Sequence, residues 1–345
     1  MLKFGTLRLT FPFTGVVLRT AALLILAIAG SEAMVRIPLI QAQFLLPILP
    51  GHYELGAKEY LAERLFETSG RIDCFFIGNS IVGRGAIPED FSRAYQAQTG
   101  QPITCFNFGV DTLTFQGGQR LAEILVKRYH PRLIIYGVHY ENFTASGANA
   151  FNLDTPWARS QLGRLSLEGW LESNLLIYRD ALTGAQSRGD LEKSRILTTT
   201  LSAYGYRPSD IATVPDKLTP GHNPEFFAVL DTLDVNAHRA DLDALLTVDG
   251  QGTRLILVDM PIPSRTSKAL TRSGYDYQGY LDVISGAAQA HRVVFIPAIP
   301  DNLIPEDGYQ DPSHMNTAGA SAFSVWLGEQ IGQMDRQGAL GSLGQ

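Results

Sequence analysis

Five short apolar runs limit the fold most: DCFFIG (73–78), ITCFNFG (103–109), RLIIYGV (132–138), TRLILVDM (253–260) and RVVFIPA (292–298). Each is nearly continuous in apolar residues, which suits strands covered on both faces rather than strands with one wet face. Between them lie helix-like segments: AIPEDFSRAYQAQ (86–98), TFQGGQRLAEILVKRYH (114–130), VNAHRADLDALLTV (235–248) and YQGYLDVISGAAQAH (277–291). Strand and helix alternating in this way predict a three-layer α/β/α sandwich with a central parallel sheet and right-handed crossovers. The exception is the span from about 140 to 227. It holds LEGWLESNLLIYRDALTG and a polar stretch punctuated by Pro and Gly, with no evident strand. It reads as a helical insertion after the third strand, placed where the strand ends open onto the ligand crevice.

The 345 residues suit one large domain, assigned to 71–335, with a helical linker at 51–70 and a flexible tail at 336–345. Residues 1–50 are of another kind. Lys3, Arg8 and Arg19 precede the apolar TAALLILAIAG, and a second apolar piece, IPLIQAQFLLPILPG, follows Arg36. Export is the expectation. Extending the first piece backward gives about 20 residues, enough to span a bilayer, so the charge bias favours an uncleaved signal anchor with its cationic end in the cytoplasm. Cleavage at AIAG, which would release a secreted protein, is the alternative. A net charge of −6 without a basic run argues against nucleic acid as a partner. The two cysteines, Cys74 and Cys105, form no Cys/His cluster, so no structural metal is expected. They fall on neighbouring strands, where buried free thiols are favoured over a disulfide.

In an open parallel sheet, chemistry gathers at the carboxyl ends of the strands. The first run ends in IGNSIVGRG, with Ser80 just past the strand. The second ends at Gly109, the third in YGVHYEN, and a loop before the last helix carries DPSHMNTAG with Asp311 and His314. In this order the blocks resemble those of the SGNH (GDSL-like) hydrolase superfamily, and more particularly its membrane-anchored bacterial branch associated with cell-envelope polysaccharide acylation. The resemblance spans roughly 70–333 and implies a flavodoxin-like sheet. It also implies Ser80 as nucleophile, His314 as general base and Asp311 as the acid that orients the imidazole. The backbone amides of Ser80 and Gly109 would serve as oxyanion donors. The family's third block reads G-x-N-D, whereas Gly137 is followed here by Val138, His139 and Tyr140. The third donor is therefore either His139 or Asn142.

The resemblance implies a serine esterase or O-acyltransferase acting on acyl, chiefly acetyl, esters of envelope or extracellular polysaccharide. It implies no cofactor or metal, a small ester or acylated carbohydrate as substrate, and a membrane-bound partner that could supply the acyl donor. The altered third block leaves open a second class, an envelope assembly or binding protein whose catalysis is weak or lost. Simpler roles exist for several residues. Ser80 could cap a helix, Asp311 could form a turn beside Pro312, and Asn316 is expected to cap the last helix. Trp157, Trp170, Tyr178 and Arg179 could line a sugar groove, but a helix burying its apolar stripe explains them more simply. DMPIP (259–263) reads as a strand end turned by prolines.

Overall fold

The computed structural model describes residues 14–37, 52–144, 150–164, 166–179, 188–211, 233–272, 274–297 and 303–340. The apolar piece after Arg36, much of the later insertion and residues 341–345 lie outside them. All five apolar runs form strands: β1 (Cys74–Gly78), β2 (Cys105–Gly109), β3 (Leu133–Val138), β4 (Arg254–Asp259) and β5 (Val294–Ile296). They pair in parallel in the order β2-β1-β3-β4-β5. The chain steps from β1 outward to β2, then crosses back to β3 on the other side, so the winding reverses between β1 and β3. That reversal opens a crevice at the carboxyl edge. The register sets the tips side by side there, with Gly78 opposite Gly109 and Val138 opposite Asp259.

The helices are α1 (Thr14–Val35), α2 (Tyr53–Ser69), α3 (Ser80–Gly85), α4 (Pro88–Thr99), α5 (Phe115–Tyr129) and α6 (Pro156–Gln161). They continue as α7 (Leu167–Asn174), α8 (Arg188–Thr200), α9 (Arg239–Leu246), α10 (Ser264–Arg272), α11 (Tyr277–His291) and α12 (Thr317–Arg336). Successive strand side chains point to opposite faces, which divides the core in two. Phe75 and Ile77 pack with Leu121 and Leu125 of α5, Leu242 of α9 and Ile284 of α11. Phe76 and Ile135 pack on the opposite face with Phe91 and Tyr95 of α4 and Phe323 and Leu327 of α12. The result is the expected α/β/α sandwich, with α6, α7 and α8 forming the helical insertion after β3. Cys74 and Cys105 face each other in register as buried free thiols.

The insertion corrects one expectation. Trp157 is buried against the main core, as a packed helix stripe requires, but Trp170 on α7 is 48% exposed. At the other end of the chain, Gly15–Val35 is long and apolar enough to cross a membrane, and Leu18, Leu23 and Leu26 on it are largely exposed.

Candidate active site

The β1–α3 junction frees a serine hydroxyl. Asn79, not Ser80, caps α3, its Oδ1 accepting from the Ile81 amide at 3.0 Å. Ser80 is thus the first helical residue, and its amide has no intrahelical acceptor. The capping role that would have explained the serine simply belongs to its neighbour. Ser80 Oγ instead lies 2.8 Å from His314 Nε2 across 234 positions of sequence.

The loop before α12 is built to hold that imidazole. Gln310 donates its amide to the His314 carbonyl at 2.9 Å, and Tyr309 pairs with Met315 in an antiparallel bridge. Asp311 Oδ1 accepts the amides of Ser313 (3.0 Å) and His314 (2.8 Å), so the acid does form a turn. It also bonds the ring: His314 Nδ1 is 3.0 Å from Oδ1 and 2.9 Å from Oδ2. With Nδ1–H donated to a carboxylate, the neutral ring keeps a lone pair at Nε2, which accepts the Ser80 hydroxyl proton. Burial alone would raise the Asp311 carboxyl, but the hydrogen bond and charge of His314, with the two amides, outweigh it and hold the group at about 2. Asn316 caps α12 as expected, accepting from the Gly319 amide at 3.1 Å, and donates to the Asp307 carbonyl.

At the tip of β2, the Gly109 amide donates to Asn107 Oδ1 at 2.9 Å. Asn107 is fixed from its other end, its Nδ2 donating to the carbonyls of Val82 (2.8 Å) and Ala86 (2.6 Å). An oxyanion would therefore have to share the Gly109 N–H with an amide oxygen already in place. Glycine is required here for packing as well: a Cβ would press into the backbone of Gly83 and come within 2.9 Å of the Asn79 carbonyl.

At the tip of β3, His139 is 1% exposed. Its Nδ1 accepts the Glu141 amide at 3.4 Å, which puts the proton of the neutral ring on Nε2. That Nε2 is buried and has no hydrogen-bond partner among the described residues. Burial, then the nearby charge of His314, pushes His139 well below the ordinary histidine range, so it stays neutral. Asn142 turns inward to the backbone instead, its Oδ1 accepting the His139 amide at 2.9 Å and closing the turn Tyr140–Phe143.

Two polar clusters beside the tips were not foreseen from sequence. Asp259, at the end of β4, accepts the hydroxyls of Tyr280 (2.8 Å) and Tyr277, and burial pushes its carboxyl up to about 7. Below β2, Lys58 and Glu54 of α2 are fully buried, with Lys58 Nζ donating to the Gly109 carbonyl. Among the described residues no group of three or more His, Cys, Asp or Glu side chains is placed to hold a metal ion.

The fold and site together define a parallel α/β sandwich with a Ser–His–Asp constellation at its carboxyl edge. The chain is similar to solved structures of two esterases, in both cases at low identity. One is an inhibitor-bound aryl esterase from M. smegmatis, with 14% identity, a TM-score of 0.33, and 75% of this chain and 97% of that one covered. The other is a carbohydrate acetylesterase family member from Sinorhizobium meliloti, with 11% identity, a TM-score of 0.32, and coverage of 76% and 98%. No protein-family model matches the sequence, and no curated protein does.

Proposed function

We propose that the chain is an SGNH-type serine esterase or O-acyltransferase, held at the membrane by α1, that acts on acyl esters of envelope carbohydrate. The observation that carries this reading is the 2.8 Å approach of Ser80 Oγ to His314 Nε2, with Asp311 on the far ring nitrogen. Ser80 Oγ attacks the ester carbonyl as its proton passes to His314 Nε2. The acyl C–O bond then breaks, and the same proton leaves with the departing alcohol. Water, or a sugar hydroxyl delivered to the same place, repeats the steps in reverse to release the acyl group. A membrane-bound partner that supplies the acyl donor fits the anchored form.

The test is covalent. A fluorophosphonate probe is expected to label the wild-type chain, with the adduct mapping to Ser80, and Ser80→Ala is expected to lose both label and hydrolysis of a small aryl acetate. Absence of turnover and of label in the wild type would leave the non-catalytic envelope role. Incubation with a labelled acyl donor and candidate glycans separates the two enzyme readings, since label found only in free acid excludes transfer.

Of the two candidates for third oxyanion donor, the proposal takes His139. Its Nε2–H is buried and unspent, it stays neutral, and it sits one residue past β3, beside the β1 tip that carries Ser80. Asn142 serves to set the turn that holds it. His139→Ala is expected to lower kcat by a factor of roughly a hundred to a thousand, the usual cost of one oxyanion donor, with KM little changed and probe labelling retained. His139→Asn should recover a large part of the loss, because an amide restores the N–H. Equal kcat in His139→Ala and wild type would return the role to the backbone.

A further inference from the structure

The helix α7 leaves one face uncovered. Leu167 is 75% exposed and Trp170 is 48% exposed, and with Asn174 they follow the i, i+3, i+7 spacing of a single helical face, while Gly169 and Glu172 turn inward. An isolated exposed leucine on a soluble surface needs no explanation. This pair is set apart by what stands beside it.

The end of α7 is bonded to the end of α1. Arg36 Nη2 donates to the Asn174 carbonyl at 2.9 Å, and its Nε donates to Glu32 Oε1 at 2.9 Å. Glu32 in turn accepts the amides of Leu176 (3.0 Å) and Ile177 (3.3 Å), capping the turn that follows α7. Glu32 and Arg36 close an apolar helix most of whose described side chains are exposed, so in a bilayer they mark the level where hydrocarbon gives way to headgroups. From Asn174 to Trp170 is four residues, about 6 Å along the helix axis, so a helix lying in the membrane plane keeps Trp170 close to the point where α1 leaves the bilayer. Tryptophan favours this depth because its ring is apolar and its N–H can still reach water.

We propose that α7 is a membrane-surface helix that lays Leu167 and Trp170 into the lipid headgroup region beside the exit of α1. This rests on the reading of α1 as a retained anchor. The helix then gives the domain a second, non-covalent foothold, and it fixes which side of the insertion, and so of the crevice from which the insertion springs, is turned to the membrane. Among the described residues of the insertion, Ile196 and Ile211 are also exposed but show no hydrogen bond linking them to α1, and they are not part of the proposed surface.

The experiment uses the full chain in phosphatidylcholine nanodiscs, with and without brominated acyl chains. The chain holds three tryptophans. Trp157 is buried, and Trp326 lies on α12. Brominated lipid is expected to quench part of the wild-type emission, and Trp170→Phe is expected to remove that part while esterase activity is unchanged. Equal quenching of the wild type and Trp170→Phe, or none in either, overturns the proposal and leaves the face to a protein partner. Alkaline carbonate extraction of membranes separates this from failure of the anchor. A chain released into the soluble fraction sinks the anchor and α7 together, whereas a chain that stays with the membrane while Trp170 is not quenched sinks α7 alone.

Discussion

Replacing His314 with alanine is expected to lower turnover of a small aryl acetate by a factor on the order of a million, because the serine, histidine and acid of the proposed triad would act as a unit and a serine hydroxyl is inert without its base. Asp311→Asn is expected to cost less, a factor on the order of ten thousand, since the ring would stay in place but lose the partner that fixes its proton on Nδ1. The geometry gives a reason for the order. His314 alone touches Ser80 Oγ, while Asp311 acts through Nδ1 and the two loop amides. Steady-state kcat for both variants, with circular dichroism to confirm folding, checks the ranking, and equal losses would contradict it. The pH behaviour follows from the same pairing. Asp311 is held at about 2 against an unfolded value of 3.8, so the pairing contributes stability in full above about pH 4 and loses it as pH falls through 2. An acid limb in the kcat/KM profile above pH 4 therefore belongs to another group.

The sheet was legible because its strands are buried on both faces, and a strand so placed has to be apolar throughout. DCFFIG and RLIIYGV cannot be read as half-wet strands, and each forms an interior strand of the sheet, RLIIYGV its central one. Ser80, Asp311 and His314 were legible through their order and the strand-tip rule, although their meeting is a property of the winding and not of any local motif. Trp170 misled because an aromatic at helical spacing is usually packed inward, and nothing local distinguishes it from Trp157. Asn107 was passed over as one polar residue inside an apolar strand. Its signal was that very position, since a fully buried amide must find partners, and its partners turned out to be the backbone of α3 and Gly109. Asp259 is hidden in the sequence for a similar reason, because the hydroxyls that satisfy it come from α11, past the prolines that follow β4.

Lys58→Met is expected to destabilise the domain by roughly 3–5 kcal/mol, the cost of leaving one half of a buried ion pair uncompensated. Lys58 and Glu54 lie one turn apart on α2, both without solvent exposure, with Nζ 3.7 Å from Glu54 Oε1. Burial pushes the Glu54 carboxyl up and the Lys58 ammonium down, and the opposite charge of each works against that shift in the other. Among the described residues Glu54 Oε1 has no hydrogen-bond partner, with Lys58 at 3.7 Å and Arg207 at 4.0 Å as its ion-pair neighbours, while Oε2 accepts the Asp111 amide at 2.6 Å. Asp111 is bound in turn by the Tyr53 hydroxyl (2.6 Å) and by Arg207 (3.2 Å). Removing the ammonium strands the carboxylate and leaves the Gly109 carbonyl without its donor. The double variant Glu54→Gln, Lys58→Met removes the charge with its partner and should recover a large part of the loss, because a neutral pair carries no such desolvation penalty. Denaturant midpoints measured at constant m-value test this, and equal midpoints for single and double variants would refute the charge argument. Activity is expected to follow the same chain of contacts: Gly109 packs on Gly83 of the helix that begins with Ser80, so a loosened β2 tip should be felt at Ser80. The folded fraction of Lys58→Met is therefore expected to show a lower kcat than the double variant, with both still labelled at Ser80. α2, which lies outside the sequence blocks that carry Ser80, Asp311 and His314, is thereby expected to help set the position of Ser80.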